Sequence, residues 1–346
     1  MTWYKTFGKS HQVCPRGRYV RWVILVPVAV LCLGVGALAG DSTLERARTA
    51  LASHKDEEAE ALLMELVEQD VDNHEAYHLL AQVCLRRQDH DRAVKASERA
   101  VKLNDSISDY YLWLARSYLA KAMDSGIINA FRYARKGKGA YEKSVELDSS
   151  NVEARFEFCM YLIVAPGLVG GDKDLGIEQA RIIETQDSLY GAYAWAGIRE
   201  RESDLDGAEA SLLRAAELDT SSTFYARYAL GYFYERHEKY DDAIAVFRGI
   251  LEEKPDEMSA VFQVGKICVL TESDLDEAER CFRRYLEVES PPNAPNWAAA
   301  HWRLGMVYDL QGKVDLALVE ARKAVELAPS NKEFRKTLKE IEKKFK

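Results

Sequence analysis

The sequence lacks the short motifs in which catalytic and metal-binding residues usually occur. Its seven histidines are scattered, and His237-Glu238 is not followed by the second histidine that a zinc-binding helix requires. The glycines between Gly167 and Lys173 do not lead into the Gly-Lys-Ser or Gly-Lys-Thr of a phosphate loop, and no Gly-x-Ser-x-Gly turn is present. We therefore expect a protein that is not an enzyme, with no catalytic residues, no metal site and no cofactor.

Acidic residues are missing from the first forty positions. Residues 1–21 contain five basic residues, and no charged residue occurs from Val23 to Ala39. A basic flank before an apolar run predicts that the amino terminus stays in the cytosol and the rest of the chain is exported. We interpret residues 1–40 as a basic terminus followed by a signal peptide or a membrane anchor.

Two forms of export remain open at this stage. The apolar run is at the short limit for a membrane helix, yet residues 22–39 could form a single-pass anchor in the cell membrane, with the following residues outside the cytoplasm. Alternatively, Ala37-Leu38-Ala39 has the small-x-small form of a signal-peptidase site, and cleavage near Ala39 would give a periplasmic or secreted protein. A cytosolic protein is a third hypothesis.

Two stretches of the remaining chain share one pattern. Residues 227–255 read RYALGYFYERHEKYDDAIAVFRGILEEKP, and residues 301–329 read HWRLGMVYDLQGKVDLALVEARKAVELAP. Both contain Leu-Gly, then Tyr, Ala and Pro at identical spacings, which predicts two amphipathic helices joined by a short turn. Gly231 would let the two helices approach closely. Such a pair cannot bury both apolar faces alone, so neighbouring pairs must stack.

This pattern resembles the tetratricopeptide repeat, a helix–turn–helix unit of about 34 residues. Looser copies keep the register over residues 41–330, which gives about seven or eight units. The resemblance implies an all-α fold, a right-handed α-solenoid of stacked repeats. Residues 331–346 carry one apolar stripe on an otherwise charged helix, as expected of a C-terminal capping helix. The stripe consists of Phe334, Leu338, Ile341 and Phe345.

Three insertions interrupt the repeat period. One follows Ala120, the second is residues 165–171, and the third is residues 291–296. Insertions in repeat arrays form loops on the surface, where function often concentrates, although loops also tolerate extra residues at little cost.

Net charge argues against a nucleic-acid partner. The first forty residues hold five of the 47 basic residues and none of the 56 acidic ones, which leaves 42 basic and 56 acidic residues in the array. The resulting net charge of −14 repels nucleic acid and anionic lipid, because phosphate contacts need clustered Lys and Arg. The short basic group Arg132, Arg135, Lys136 and Lys138 is the local exception, and an inserted solvated helix explains it. The cysteines give little information; Cys268 and Cys281 lie on opposite helices of one repeat and would either pair in an exported protein or stay as packed thiols.

A second stripe on the first helices is rich in aromatic residues. In tetratricopeptide arrays this face lines the concave groove that receives partner peptides, so the resemblance implies a binding surface. The alternative is that the rings pack against adjacent first helices. Chaperone-binding arrays use Lys and Asn on this face to hold a carboxylate, whereas here Lys266 is the lone cation. The candidate partner-binding residues are Phe156, Tyr190, Tyr193, Tyr225, Tyr228, Tyr232, Phe262 and Trp302.

These observations favour a non-enzymatic scaffold for protein–protein interaction, exported or tethered to a membrane, that binds a peptide or protein along an aromatic concave groove. The alternative is a structural, self-assembling component of a cell-envelope complex, for which a homo-oligomer is expected. If the aromatic rings were core residues, the inserted loops around Pro166 and Pro292 would become the candidate site.

Overall fold

The computed structural model describes residues 35–221, 223–288 and 296–344, with side chains from Ser42 onward. The predicted anchor or signal segment lies outside these residues except for Val35–Ala39, which belong to the first helix. The third insertion lies outside them apart from Asn296. No helix of the described residues is long and apolar enough to span a membrane.

Seventeen α-helices and one 3₁₀ turn make up the regular structure of the described residues, which contain no strand. The residues up to Asp204 form one compact unit, and those from Leu205 onward form another. The first unit contains α1 Val35–Ala52, α2 Asp56–Gln69, α3 His74–Arg86, α4 His90–Leu103, α5 Ser108–Met123, α6 Ile127–Leu147, α7 Val152–Val164, the 3₁₀ turn Gly167–Val169, α8 Lys173–Gln186 and α9 Ser188–Arg201.

The second unit contains the remaining eight helices. They are α10 Leu205–Leu218, α11 Tyr225–Arg236, α12 Tyr240–Glu253, α13 Met258–Leu270, α14 Leu275–Leu286, α15 Trp297–Leu310, α16 Val314–Leu327 and α17 Lys332–Lys344. Consecutive helices pack against each other within each unit. The prediction of an all-α solenoid built from helical repeats is confirmed.

Polar residues start many of these helices. The side chain of Asn73 accepts a hydrogen bond from the backbone N–H of Ala76, and Asn151 does the same for Ala154. Asp89 and Asp274 cap α4 and α14 in the same way. Because the first turn of a helix has no internal partners for its N–H groups, each such cap fixes where a helix begins.

The turn inside most repeats has one residue in the left-handed region. Gln88, Glu238 and Glu272 have φ values of 62°, 58° and 52°, and Gly312 has 73°. The next residue then donates its N–H back into the first helix, as from Lys239 to the carbonyl of Tyr234 at 2.9 Å. This closes the end of the first helix and reverses the chain.

Apolar side chains are buried between the helices of each unit, in a series of clusters along the chain. Leu63, Leu112 and Ile183 are completely buried in the first unit, and Phe233, Phe247 and Phe282 in the second. Ala59, Leu63 and Leu66 lie buried on α2. The cysteines of the described residues are free thiols, so Cys268 and Cys281 do not pair.

The last helix, α17, covers the end of the second unit. Phe334 and Ile341 are buried, with exposures of 6 % and 1 %, while the basic residues of the helix face outward. Phe334 packs with Ala298 of α15 and Ala324 of α16. Leu338 is half-buried, and Phe345, the last residue of the predicted stripe, lies outside the described residues.

Candidate partner-binding surface

The first unit brings together three of the predicted aromatic residues. Phe156 on α7 lies 5.5 Å from Tyr190 and 6.5 Å from Tyr193 on α9, measured between ring centroids, and the two tyrosines are 6.4 Å apart. All three contacts are edge-to-face, the geometry that aromatic quadrupoles favour. The rings are half-buried, so each supports its neighbours and still presents part of its surface to solvent.

The second unit brings together Tyr228 and Tyr232 on α11. Their rings are stacked with centroids 6.1 Å apart, and both rest on the buried ring of Phe247 at 5.8 Å and 5.7 Å. The Tyr228 hydroxyl donates to Glu257 Oε1 at 3.3 Å, and the Tyr232 hydroxyl accepts from Gln263 Nε2 at 3.2 Å. The pair is therefore a half-buried platform whose polar ends are held in place.

Burial keeps both hydroxyls of this platform protonated. It raises the pKa of Tyr232 to about 12 and raises the pKa of Tyr228 as well, the latter with a further contribution from the Glu257 carboxylate. A neutral phenol can donate a hydrogen bond, and a phenolate cannot.

Tyr225, the first residue of α11, is half-buried one turn before Tyr228.

The remaining two predicted residues pack against other helices of the second unit: Phe262 is buried and Trp302 is half-buried. Phe262 is only 4 % exposed and packs against Phe282 and Tyr285 at 5.4 Å and 5.2 Å, so the prediction that its side chain lines the surface is corrected: it belongs to the core. Trp302 lies under the capping helix, with its ring 5.1 Å from Phe334 and its Nε1 donating to Thr337 Oγ1 at 2.9 Å. Both were placed by the helical period, which does not show which neighbouring helix covers a position.

Polar residues of the first unit occupy the same helical positions and were missed by the sequence analysis. His78 corresponds in register to Tyr228, and its ring stacks on Tyr110 at 4.6 Å. Arg116 corresponds to Tyr232 and lies 4.4 Å over the ring of Trp113. The hypothesis named only aromatic residues, whereas the helical position itself, taken for every residue type, points to both.

The charged groups on these positions are paired. Arg116 donates to Glu153 Oε1 at 2.5 Å and to Glu157 Oε1 at 2.6 Å, and these carboxylates outweigh burial and raise its pKa. Lys266 contacts Glu235 Oε1 at 2.5 Å. Both cations at this helical position are therefore neutralised by carboxylates of the protein itself. The described residues contain no cluster of three or more side chains suited to a metal ion.

Comparison with known proteins identifies the class to which this architecture belongs. A family model described as tetratricopeptide repeat matches residues 44–106, 193–257 and 270–332, more than half of the chain. The chain therefore belongs to the tetratricopeptide repeat family. Proteins of this family generally mediate protein–protein interactions, and their fold is typically a non-catalytic scaffold.

Several solved structures are similar to this chain at low sequence identity. A monomeric mutant of IFIT1, solved with Gppp-AAAA, is 15 % identical with a TM-score of 0.51, covering 84 % of this chain and 69 % of that one. A tetratricopeptide repeat protein from Parabacteroides merdae is 12 % identical with a TM-score of 0.48, covering 88 % and 99 %. A thermophilic TPR protein from Thermus thermophilus is 15 % identical with a TM-score of 0.44, covering 66 % and 99 %. A search of curated proteins finds no match.

Proposed function

We propose that this protein is an interaction scaffold that binds a peptide or protein segment on the aromatic faces of its first helices. The observation that carries the proposal is the platform formed by Tyr228 and Tyr232. Its two rings are stacked and supported from below by Phe247, and both hydroxyls are hydrogen-bonded.

Such a platform is suited to binding because it is already ordered. A partner that covers the rings gains apolar burial without paying for the ordering of flexible side chains, since packing and hydrogen bonds fix them beforehand. Tyrosine also combines a large apolar surface with a polar tip, which explains its enrichment at interfaces. The cluster of Phe156, Tyr190 and Tyr193 offers a second surface of the same chemistry.

We further propose that the repeats act outside the cytoplasm, either anchored by residues 22–39 or released by cleavage near Ala39. The basic residues before the apolar run support the orientation. The acidic array is consistent with a protein partner and not with nucleic acid.

The test is quantitative capture of partners by native crosslinking of the full chain, followed by mass spectrometry. The variant Tyr228→Ala/Tyr232→Ala should lower the recovery of specific partners about tenfold or more, because truncation of an aromatic hot spot costs on the order of 2 kcal/mol. Tyr240→Ala is the matched control. This tyrosine is also half-buried and lies in the same unit, but on the second helix α12.

Both rings contact the buried Phe247, so the double-alanine variant could lose capture because the unit unfolds and not because the binding surface is missing. Circular dichroism and urea unfolding of the double variant show whether the unit remains folded. Tyr228→Phe/Tyr232→Phe keeps the rings and removes only the hydroxyls, so it should retain most of the capture. Unchanged capture by a folded double-alanine variant would disprove the assignment of the platform.

A second candidate function is self-assembly into an envelope complex. Large apolar side chains on α16 are exposed, among them Leu316 at 47 % and Val319 at 61 %. Two such residues on one helix suit a contact between copies. A mass that rises with concentration, and that Leu316→Glu/Val319→Glu returns to the monomer value, would favour this function over the scaffold.

A further inference from the structure

Two insertions that are far apart in the sequence meet in the first unit. The first extends α6, which begins at Ile127 and runs for 21 residues, and the second forms the 3₁₀ turn Gly167–Val169. The Tyr161 hydroxyl lies 3.0 Å from the carbonyl oxygen of Ala134 and 2.7 Å from that of Val169. Arg135 donates to the carbonyl of Leu168 at 2.8 Å. The two insertions therefore form one surface.

The loop that carries Leu168 has a tightly defined backbone. Gly170 has a φ of 96°, a conformation that favours glycine, and a Cβ on Gly171 would lie 1.7 Å from the carbonyl oxygen of Ala165. The N–H of Gly171 donates to the carbonyl of Pro166 at 3.1 Å. These constraints hold the side chain of Leu168 outward, where it is 64 % exposed.

Apolar side chains project from the joined surface. Ile127 is 61 % exposed, Ile128 85 % and Phe131 39 %, all in the first turns of α6. Ile128 and Phe131, together with Leu168, border an open groove of about 610 Å³, and Ile127 lies beside Ile128 outside its lining. Exposed apolar residues scattered singly are ordinary, but a contiguous group on a rigid support usually marks an interaction site.

Cationic side chains surround this apolar group. Arg132, Arg135 and Lys136 line the same groove, and no acidic residue occurs between Ser125 and Tyr141. Lys136 contacts Glu98 at 3.3 Å, but within the described residues neither Arg132 nor Arg135 has a carboxylate at ion-pair distance. The patch is therefore a local positive site on an array with a net charge of −14.

We propose that this patch, defined by Ile127, Ile128, Phe131, Leu168, Arg132 and Arg135, docks onto an anionic lipid surface. Side chains as exposed as Ile128 can enter the boundary between headgroups and acyl chains, while the two guanidinium groups remain at the level of the phosphates. Charge complementarity selects the occupant, since the patch is cationic and lacks acid. A peripheral contact of this kind is separate from the aromatic surfaces and from any membrane-spanning segment.

The experiment measures the fluorescence of a probe placed within the patch itself. Membrane insertion of residues 22–39 alone would therefore not produce the expected signal. An environment-sensitive fluorescent amino acid replaces Ile128 in the full chain, and vesicles contain phosphatidylcholine alone or an equimolar mixture with phosphatidylglycerol. The matched control carries the same probe at Leu213, which is 44 % exposed on α10 and belongs to no proposed surface. We expect a blue shift at position 128 with the anionic vesicles, and no shift at position 213 or with phosphatidylcholine alone.

Charge reversal provides the second arm. Arg132→Glu should remove most of the shift at position 128, and so should high salt, because the attraction is screened within a Debye length. Arg132 makes no hydrogen bond to the loop, so this variant leaves the contact between Arg135 and Leu168 in place. The proposal is overturned if position 128 shows no shift with the anionic vesicles, or if position 128 and the control position shift equally.

Discussion

At the scale of single residues, glycine determines how closely α11 and α12 approach each other. A Cβ on Gly231 would lie 2.6 Å from Cζ of Phe247, whose ring is completely buried. A Cβ on Gly197 would lie 2.4 Å from Cε of Met160, which is the mobile end of a half-buried side chain. Two contacts of similar length therefore differ in how easily the neighbour can move.

We predict that Gly231→Leu destabilises the protein by roughly 1 to 3 kcal/mol because the ring of Phe247 has no free space to enter. Gly305→Leu should behave similarly, since the nearest atom there is the backbone nitrogen of Ala321 at 3.2 Å. Gly197→Ala should cost less than Gly231→Ala. Urea unfolding followed by circular dichroism measures these changes, and equal costs for the two alanine variants would show that the rigidity of the neighbour does not matter.

Tyr161 gives a prediction that depends on pH. Burial raises its pKa to about 12, compared with about 10 in the unfolded chain. The folded state thus holds this proton more tightly than the unfolded chain. The stabilisation that Tyr161 provides is therefore complete below about pH 10 and declines as the pH rises towards 12. Tyr161→Phe should cost about 1 kcal/mol at neutral pH through the lost hydrogen bond, and less near pH 11. A cost that stays constant between these pH values would contradict the assignment.

At the scale of structural elements, the turns of two repeats carry different residues, one glutamate and one glycine, at the same left-handed position, so each can be replaced by the residue that the other turn has. Glu238 and Gly312 occupy equivalent positions, with φ values of 58° and 73°. A side chain at positive φ costs about 1 kcal/mol, partly offset by the greater freedom of glycine in the unfolded chain. We predict that Glu238→Gly stabilises the protein by about 0.5 kcal/mol and that Gly312→Glu destabilises it by about 1 kcal/mol. Chemical denaturation measures both, and changes of the same sign would refute the argument.

The capping helix gives a second prediction at this scale. Phe334→Ala should destabilise the second unit by about 3 kcal/mol, because this ring fills the space between Ala298, Ala324 and Trp302. Lys336→Ala on the exposed side of α17 is the control and should change stability by less than about 0.5 kcal/mol. Removal of residues 331–346 should have a larger effect than Phe334→Ala. If that truncation unfolds like the intact chain, α17 does not act as a cap.

At the scale of the whole molecule, the direction of export can be measured. A reporter that is active only outside the cytoplasm, fused after Lys346, should be active if the proposed orientation is correct. Immunoblotting then distinguishes a full-length chain in the membrane fraction from a shorter product cleaved near Ala39. An inactive reporter together with an uncleaved chain in the cytosol would exclude both forms of the proposal.

The fold was predictable because the repeat fixes the spacing of residues that must meet. In residues 227–255 the shared Leu-Gly and the following Tyr are Leu230, Gly231 and Tyr234, and all three are buried. The second helix follows the same logic through Ala243 and Phe247. Short amphipathic helices have few ways to bury their apolar faces, so local periodicity predicted stacked helix pairs, and the resemblance to the tetratricopeptide repeat implied the architecture.

The candidate site was predictable only in part because exposure depends on neighbours outside the repeat period. Phe262 and Trp302 share the helical position of Tyr228, yet one is covered by residues of α14 and the other by α17. The meeting of α6 with the loop around Leu168 was also not visible in the sequence. It depends on one tyrosine that reaches carbonyl oxygens in both segments.

The four free thiols of the described residues have a practical consequence. Burial raises the pKa of Cys84 and Cys281 to about 11 and that of Cys159 and Cys268 to about 12. Alkylating reagents attack the thiolate, which is scarce at neutral pH when the pKa is this high. Once Cys14 and Cys32 are replaced by serine, a cysteine introduced on an exposed helix face should be the preferred target of thiol-specific spin labels and dyes. The native array would thus serve as its own unreactive background for distance measurements between chosen helices.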